Sequence, residues 1–174
     1  GGTFVIDWLL GLTRRTLTDV CVPQNCEKFK ECFETYCAST LFWMLITVLQ
    51  VVPLEDMNKI QSLLYMLDVT MTGNMLSTPE AVEMGFVYCT IWAMGSSLTV
   101  ADDGTDYKKM FSDWWRGDSG FKAVKFPSRE TIFDYWLDPE TLTFDQWTKS
   151  PYFISLEYDS STTTMASVTV PTPE

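Results

Sequence analysis

The side chains that could do acid–base chemistry in this sequence occur as three pairs of carboxylates. The pairs are Asp102 with Asp103, Asp134 with Asp138, and Glu157 with Asp159. The first pair lies in a predicted turn, the second flanks a turn, and the third borders a predicted loop. Aspartate at such positions commonly caps the local backbone or stays hydrated. We therefore expect capping and solvation from these pairs, and the sequence predicts no catalytic residue.

Motifs for nucleophilic catalysis and for nucleotide binding are missing. The chain has no histidine, so neither a Ser-His-Asp nor a Cys-His arrangement can form. It contains neither G-x-x-x-x-G-K-[ST] nor G-x-G-x-x-G, so no complete phosphate-binding loop is present. Judged by its own residues, the chain is not an enzyme.

The cysteines do not predict a metal site. There are five of them, at positions 21, 26, 32, 37 and 89. No two have C-x-x-C spacing, and no histidine can complete a mixed zinc site. An odd number without a framework-like spacing also argues against a disulfide-stapled fold, so a reducing compartment is the simpler expectation.

Charge and hydrophobicity limit the possible partners. The chain carries 23 acidic and 12 basic residues, for a net charge of −11, which argues against a nucleic-acid or anionic-membrane surface. Hydrophobic residues make up 46%, which suits a globular domain. The uncharged runs 36–54 and 84–101 approach the ~20 residues of a membrane span. Both contain polar residues and neither has a basic flank, so we expect helices buried in a larger assembly.

The predicted elements are mainly helical. Apolar periodicity predicts helices over 3–12, from an N-cap at Asn25 through 52, over 54–71, from an N-cap at Thr78 to about 98, and over 106–115. After a glycine-rich break at 116–120 the pattern becomes β-like. Segment 121–127 is extended, and strands at 131–137 and 142–147 flank the turn Asp138-Pro139-Glu140-Thr141. Further strands are predicted at 152–158 and 165–170.

Several longer motifs lie along this frame. They are PLEDMNKIQSLLYMLD at 53–68, IWAMG at 91–95, the helix at 107–115, VKFP at 124–127, TIFDYWLDPET at 131–141 with Trp147, and VPTPE at 170–174. Together they resemble part of dynein heavy chains, and their sequence is most similar to that of outer-arm axonemal chains. The similar part of that family is the helical lid of the second AAA+ module and the β-rich extension into the third. The resemblance covers roughly residues 33–174.

This resemblance implies a fold and a division of the chain. The expected fold is mainly α, a helical AAA+ lid bundle at 1–120, followed by a small β-hairpin and extended β region at 121–174. Such a lid would not be catalytic and would couple neighbouring AAA+ modules. The parent motor would use ATP or ADP and Mg²⁺, whereas the isolated segment is expected to bind none. Val170, Pro171 and Thr172 would line the adenine side of the following module's site, unless Val170 is a core strand residue and Pro171 ends that strand.

The partners and location follow from the same resemblance. The segment would contact neighbouring modules of its own heavy chain, and the parent would bind microtubules and dynein intermediate and light chains in the cytoskeleton of a ciliary or flagellar axoneme. No nucleic acid or membrane is expected as a partner. Two alternatives remain at this point: a free-standing acidic helical interaction module, and a membrane-associated protein using 41–52 and 86–98.

Overall fold

The computed structural model describes residues 23–47 and 56–154, with side chains from 25 and 57 onward. Its helices are α1 Pro23–Cys32, α2 Ala38–Thr47, α3 Asp56–Thr70, α4 Pro79–Gly95 and α5 Tyr107–Arg116, and its strands are β1 Tyr135–Asp138 and β2 Thr143–Gln146. Short 3₁₀ turns lie at Gly73–Leu76, Ile132–Asp134 and Trp147–Lys149. This confirms a mainly α fold followed by a small β-hairpin. The helix predicted at 3–12 and the strand at 165–170 lie outside the described residues, and 152–154 forms no strand.

Helix α4 is the centre of the core. It begins as predicted, with Thr78 Oγ1 accepting a hydrogen bond from Ala81 N at 3.2 Å and with Pro79 at the first helical position. Its buried residues face every direction, which is the pattern of a helix enclosed by neighbours. It ends at Gly95, three residues before the predicted end. Helices α1 and α3 pack against it.

The apolar periodicity of 54–71 predicts a core face of Met57, Ile60, Leu63, Leu64, Met66 and Leu67, with Lys59 on the polar face. Helix α3 has this amphipathic character but departs from it at two positions, since Met57 is 44% exposed and Lys59 is buried. Ile60, Leu63 and Leu67 are buried against the core. Met71 and Met75, which follow the helix, are 1% exposed, as expected for methionines that fill core gaps. Lys59 was placed on the polar face by its periodicity but is only 3% exposed.

Helices α1 and α2 are joined without a break by a π-helical stretch, Phe33–Cys37. Thr40 Oγ1 donates a hydrogen bond of 2.7 Å to the Tyr36 carbonyl, which satisfies an acceptor in this wider part of the helix. The prediction that Asn25 caps the helix is wrong, because α1 begins at Pro23. Asn25 instead donates from Nδ2 to the Leu76 carbonyl at 3.2 Å, a partly buried acceptor 51 residues away that no local pattern reveals.

Helix α5 and the hairpin complete the fold. Asp106 caps α5 by accepting from Lys109 N at 3.0 Å. Strand β1 pairs antiparallel with β2, with Tyr135 opposite Gln146 and Asp138 opposite Thr143. The first strand begins four residues later than predicted, because Thr131 and Asp134 form a capping box around a 3₁₀ turn there.

Candidate functional site

The contact between the helices and the hairpin is made by an aromatic ring on a glycine. We call it the junction and define it as Trp92, Gly95, Phe111 and Phe133. The Phe133 ring centroid lies 5.7 Å from Trp92 and 5.8 Å from Phe111. A Cβ at Gly95 would lie 2.4 Å from Phe133 Cζ, well inside van der Waals contact. The missing side chain of Gly95 therefore creates the space that the ring fills.

Hydrogen bonds supplement this apolar contact and fix the orientation of the hairpin. Ile132 N donates to Ser112 Oγ at 3.1 Å in a buried position, so the start of the hairpin is tied to α5. At the other end, Asn74 Nδ2 donates to the Pro139 carbonyl at 3.4 Å. The hairpin is thus held at its base and at its tip.

The guanidinium of Arg116, the last residue of α5, makes the densest set of polar contacts here. Nη1 donates to the Glu130 carbonyl at 2.5 Å, and Nη2 donates to the carbonyls of Pro127 at 2.7 Å and Arg129 at 3.4 Å. We call these contacts the Arg116 clamp. Charge-assisted hydrogen bonds of this kind are stronger than neutral ones, so the clamp fixes the loop that enters the hairpin.

A second polar cluster ties α1 to α4. Tyr36 Oη donates to Glu83 Oε1 at 2.6 Å, and Lys28 Nζ lies 3.0 Å from Glu83 Oε2 and 3.3 Å from Glu31 Oε2. Burial lowers the pKa of Lys28, but the hydrogen bond and negative charge of Glu83 outweigh it and raise that pKa overall. Burial, helped by the same carboxylate, raises the pKa of Tyr36. The cluster therefore keeps Lys28 charged and Tyr36 neutral, as a structural ion pair requires.

The thiols are buried and unreactive in character. Cys32, Cys37 and Cys89 form no disulfide. Cys26 is disulfide-bonded, which the expectation of a reducing compartment does not anticipate. Burial, with a smaller contribution from the Glu83 charge, raises the pKa of Cys32 to about 12. Burial likewise raises the pKa of Cys89 to about 12. Because the thiolate is the nucleophile, thiols with such values are weak nucleophiles near neutrality.

These thiols give a pH prediction. An ordinary value of 9.0 raised to about 12 means that the folded chain holds the proton more tightly than the unfolded chain. The stabilisation is complete well below pH 9 and is lost as pH rises toward 12, with a loss of about 1.4 kcal/mol per thiol by pH 10. Urea unfolding at pH 8, 9 and 10 measures this decline. Tyr36 and Tyr88, whose pKa values are also raised by burial, add to the decline. Cys89→Ala should therefore remove roughly a third of it, whereas a constant stability across this range would contradict the burial of both thiols.

Three of the carboxylates, Asp103, Asp134 and Asp138, have the capping roles expected of them. Asp103 Oδ1 accepts from Thr105 N at 2.9 Å, Asp138 Oδ1 from Glu140 N at 2.9 Å, and Asp134 completes the capping box with Thr131. The backbone hydrogen bonds lower the pKa of Asp103 and Asp138. Glu157 and Asp159 lie outside the described residues. Within 23–47 and 56–154, no three His, Cys, Asp or Glu side chains form a group that could hold a metal ion.

Helix α2 carries an exposed apolar ridge, which we define as Phe42, Leu45 and Ile46. These side chains are 64%, 74% and 66% exposed, while Thr40 and Met44 on the opposite face are buried. Every helix in the described part of the chain falls short of the length and hydropathy that a membrane-spanning helix needs. Exposed apolar side chains grouped on one face of a helix can mark a contact with a protein or a membrane.

Sequence reasoning located only some of these groups. Val170, Pro171 and Thr172, the predicted adenine-side residues, lie outside the described residues. The junction includes Trp92 and Gly95 of IWAMG and Phe133 of TIFDYWLDPET, two motifs singled out above. The sequence did not predict the Arg116 clamp, the role of Ser112 or the Glu83 cluster. A single arginine at a helix end, before a glycine, was the only available sign of the clamp.

Comparison with known proteins identifies the family. The family model described as "Dynein heavy chain AAA lid domain" matches residues 29–149. The chain is 36% identical over 125 residues, 70% of its length, to dynein axonemal heavy chain 17 of Homo sapiens. It is 35% identical over 127 residues, also 70% of its length, to the ciliary dynein beta chain of Heliocidaris crassispina. It is 32% identical over 152 residues, 86% of its length, to the flagellar outer-arm dynein alpha chain of Chlamydomonas reinhardtii.

The matched region is small compared with these relatives, since the chain spans about 3% of the length of each. The matched residues nevertheless include α2 to α5, the junction, the Arg116 clamp and both strands of the hairpin. On this evidence, the chain belongs to the dynein heavy chain AAA lid domain family.

Proposed function

We propose that the chain is the lid of the second AAA+ module of an axonemal dynein heavy chain, with the extension that leads to the third module. The match to the lid domain over residues 29–149 carries the proposal. In this division, residues 1–120 form the lid and residues 121–174 form the extension. The free-standing interaction module is less favoured, because the similarity to heavy chains covers most of the chain.

The proposed role of the segment is mechanical. The parent heavy chain would hydrolyse ATP and move on microtubules, and this lid would pass conformational changes between neighbouring modules. Phe111 supports such a role, because its ring contacts Trp43 of α2 at 5.4 Å and Phe133 of the hairpin segment at 5.8 Å. A close-packed core of this kind transmits displacement instead of absorbing it.

Nucleotide and Mg²⁺ belong, in this proposal, to the modules on either side. Val170, Pro171 and Thr172 would line the adenine side of the third module's site. The exposed ridge of α2 suits an interface with a neighbouring module of the same heavy chain. The parent would also bind microtubules and intermediate and light chains. The relatives' names, axonemal, ciliary and flagellar, support a place in the axoneme.

The parent transcript tests the proposal directly. A lid between two AAA+ modules requires a G-x-x-x-x-G-K-[ST] loop upstream of Gly1 and another downstream of Glu174, each within a strand–loop–helix pattern. Finding both is the expected result. A transcript that lacks the upstream loop, the downstream loop or both would overturn the proposal.

The axonemal part of the proposal has its own test. An antibody raised against the 174-residue chain should label ciliary or flagellar axonemes in the source organism, with microtubule staining as the reference. Labelling confined to the cell body would remove the axonemal assignment while leaving the family unchanged.

A further inference from the structure

The loop that enters the hairpin is organised around one cation. Three of its carbonyls, those of Pro127, Arg129 and Glu130, accept hydrogen bonds from the Arg116 guanidinium. Tyr135 Oη also donates to the Arg129 carbonyl, at 2.5 Å. A planar fork with several fixed donors can hold several carbonyls at set angles, which an ammonium group cannot do.

The backbone of Glu130 adopts an unfavourable conformation within this loop. Glu130 has φ +57°, in the left-handed region that a residue with a side chain rarely adopts. Such a conformation persists only where the surroundings fix it. The carbonyl of Glu130 accepts the shortest of the three Arg116 hydrogen bonds. The clamp therefore supplies a reason for the unusual geometry of this residue.

The clamp acts together with Ser112, one helical turn earlier. Ser112 and Arg116 are four residues apart, so they share a face of α5. Ser112 Oγ accepts from Ile132 N at 3.1 Å, immediately after the clamped loop. The apolar contact of Phe133 has no direction of its own. These polar contacts set the angle at which the hairpin leaves α5.

We infer that Arg116 is a positioning residue that fixes the hairpin to α5, so that the two move as one body. The inference rests on the proposed function and deepens it, since it names the side chain through which motion passes from lid to extension. Without the clamp, the hairpin stays attached at the junction but opens independently of α4 and α5.

Hydrogen exchange of the 174-residue chain tests this. Arg116→Gln should accelerate amide exchange in residues 127–147 by roughly ten- to a hundred-fold, as expected for the loss of hydrogen bonds to a charged group, while exchange in α4 is unchanged. Arg129→Gln is the matched control, because it makes the same charge change within the loop that Arg116 contacts, and only the backbone carbonyl of Arg129 takes part in the clamp. It should leave exchange unaltered.

A lysine variant guards against a folding failure. Arg116→Lys keeps the positive charge at the end of α5 but cannot span three carbonyls, so protection of 127–147 should fall between the parent and Arg116→Gln. Acceleration of equal size in α4 and in the hairpin would indicate ordinary destabilisation and overturn the inference. Full protection in either Arg116 variant would overturn it too.

The parent heavy chain supplies the functional readout. Arg116→Gln should leave its ATPase rate unchanged and lower its microtubule gliding velocity, whereas Arg129→Gln should change neither. A proportional fall of both quantities would contradict positioning. The exchange experiment does not depend on motor activity. If the heavy chain without any substitution showed neither ATPase activity nor gliding, the proposed function would be refuted, but the exchange test of Arg116 would still be valid.

Discussion

Replacing Phe86 by alanine is expected to destabilise the 174-residue chain by about 3–5 kcal/mol. The Phe86 side chain is fully buried in α4, and its ring meets Phe29 at 6.3 Å, Phe33 at 4.8 Å and Tyr36 at 6.4 Å. Alanine would remove the ring from the middle of this cluster and leave a cavity between α1 and α4. Urea denaturation followed by circular dichroism would report the loss as a lower transition midpoint.

Phe42→Ala is the matched control for that experiment. It removes the same side chain from a helix, but at a position that is 64% exposed on the ridge of α2. Its effect should stay within about 0.5 kcal/mol, as for most surface substitutions. Equal losses in the two variants would show that α1 does not pack on α4 through Phe86.

Gly95→Ala is expected to destabilise the chain by about 2 kcal/mol, although alanine favours helices over glycine by about 1 kcal/mol. The added Cβ would lie 2.4 Å from Phe133 Cζ and 2.5 Å from Phe133 Cε1. That ring cannot move away freely, because Trp92 and Phe111 both pack against it. The overpacking term therefore outweighs the gain in helix propensity. Thermal and urea unfolding would both show the loss.

Gly85, in the same helix, provides a comparison variant for which a smaller change in stability is expected. At Gly85 an added Cβ would meet Met71 Cε at 2.8 Å and Met75 Cε at 3.2 Å, which are the ends of flexible side chains. Methionine can adjust its terminal torsions, so Gly85→Ala should remain within about 1 kcal/mol of the parent. If Gly95→Ala were as mild as Gly85→Ala, Phe133 would not occupy the position described.

Local signals in the sequence were sufficient for the helices that carry their own start signs. Thr78-Pro79 marks the beginning of α4, because a hydroxyl cap and a proline at the first position are both local requirements. The Asp138-Pro139 turn placed the hairpin for the same reason. The start of β1 was misplaced by four residues, since the β-branched and aromatic run at 131–137 conceals a capping box.

Contacts between distant residues could not be predicted in this way. Asn25 satisfies the carbonyl of Leu76, and Arg116 satisfies carbonyls 11 to 14 residues further along the chain. Neither partner is marked by spacing or composition. The resemblance to dynein heavy chains identified the family from motifs such as TIFDYWLDPET, but a motif does not say which side chain holds the hairpin to the helices.

The π-helical stretch between α1 and α2 has a consequence for how this family changes over time. From Asn25 to Met44 the buried positions advance 19 residues in five steps, one more than the ~18 residues of five α-helical turns. The wide turn at Phe33–Cys37 absorbs the additional residue and keeps the buried positions of both halves on one side of the helix. A relative that lacks one residue here would form an ordinary α-helix with the same face inward. A one-residue gap at this place in an alignment is therefore structurally silent, whereas the same gap elsewhere in α1 or α2 would turn half of the helix away from the core.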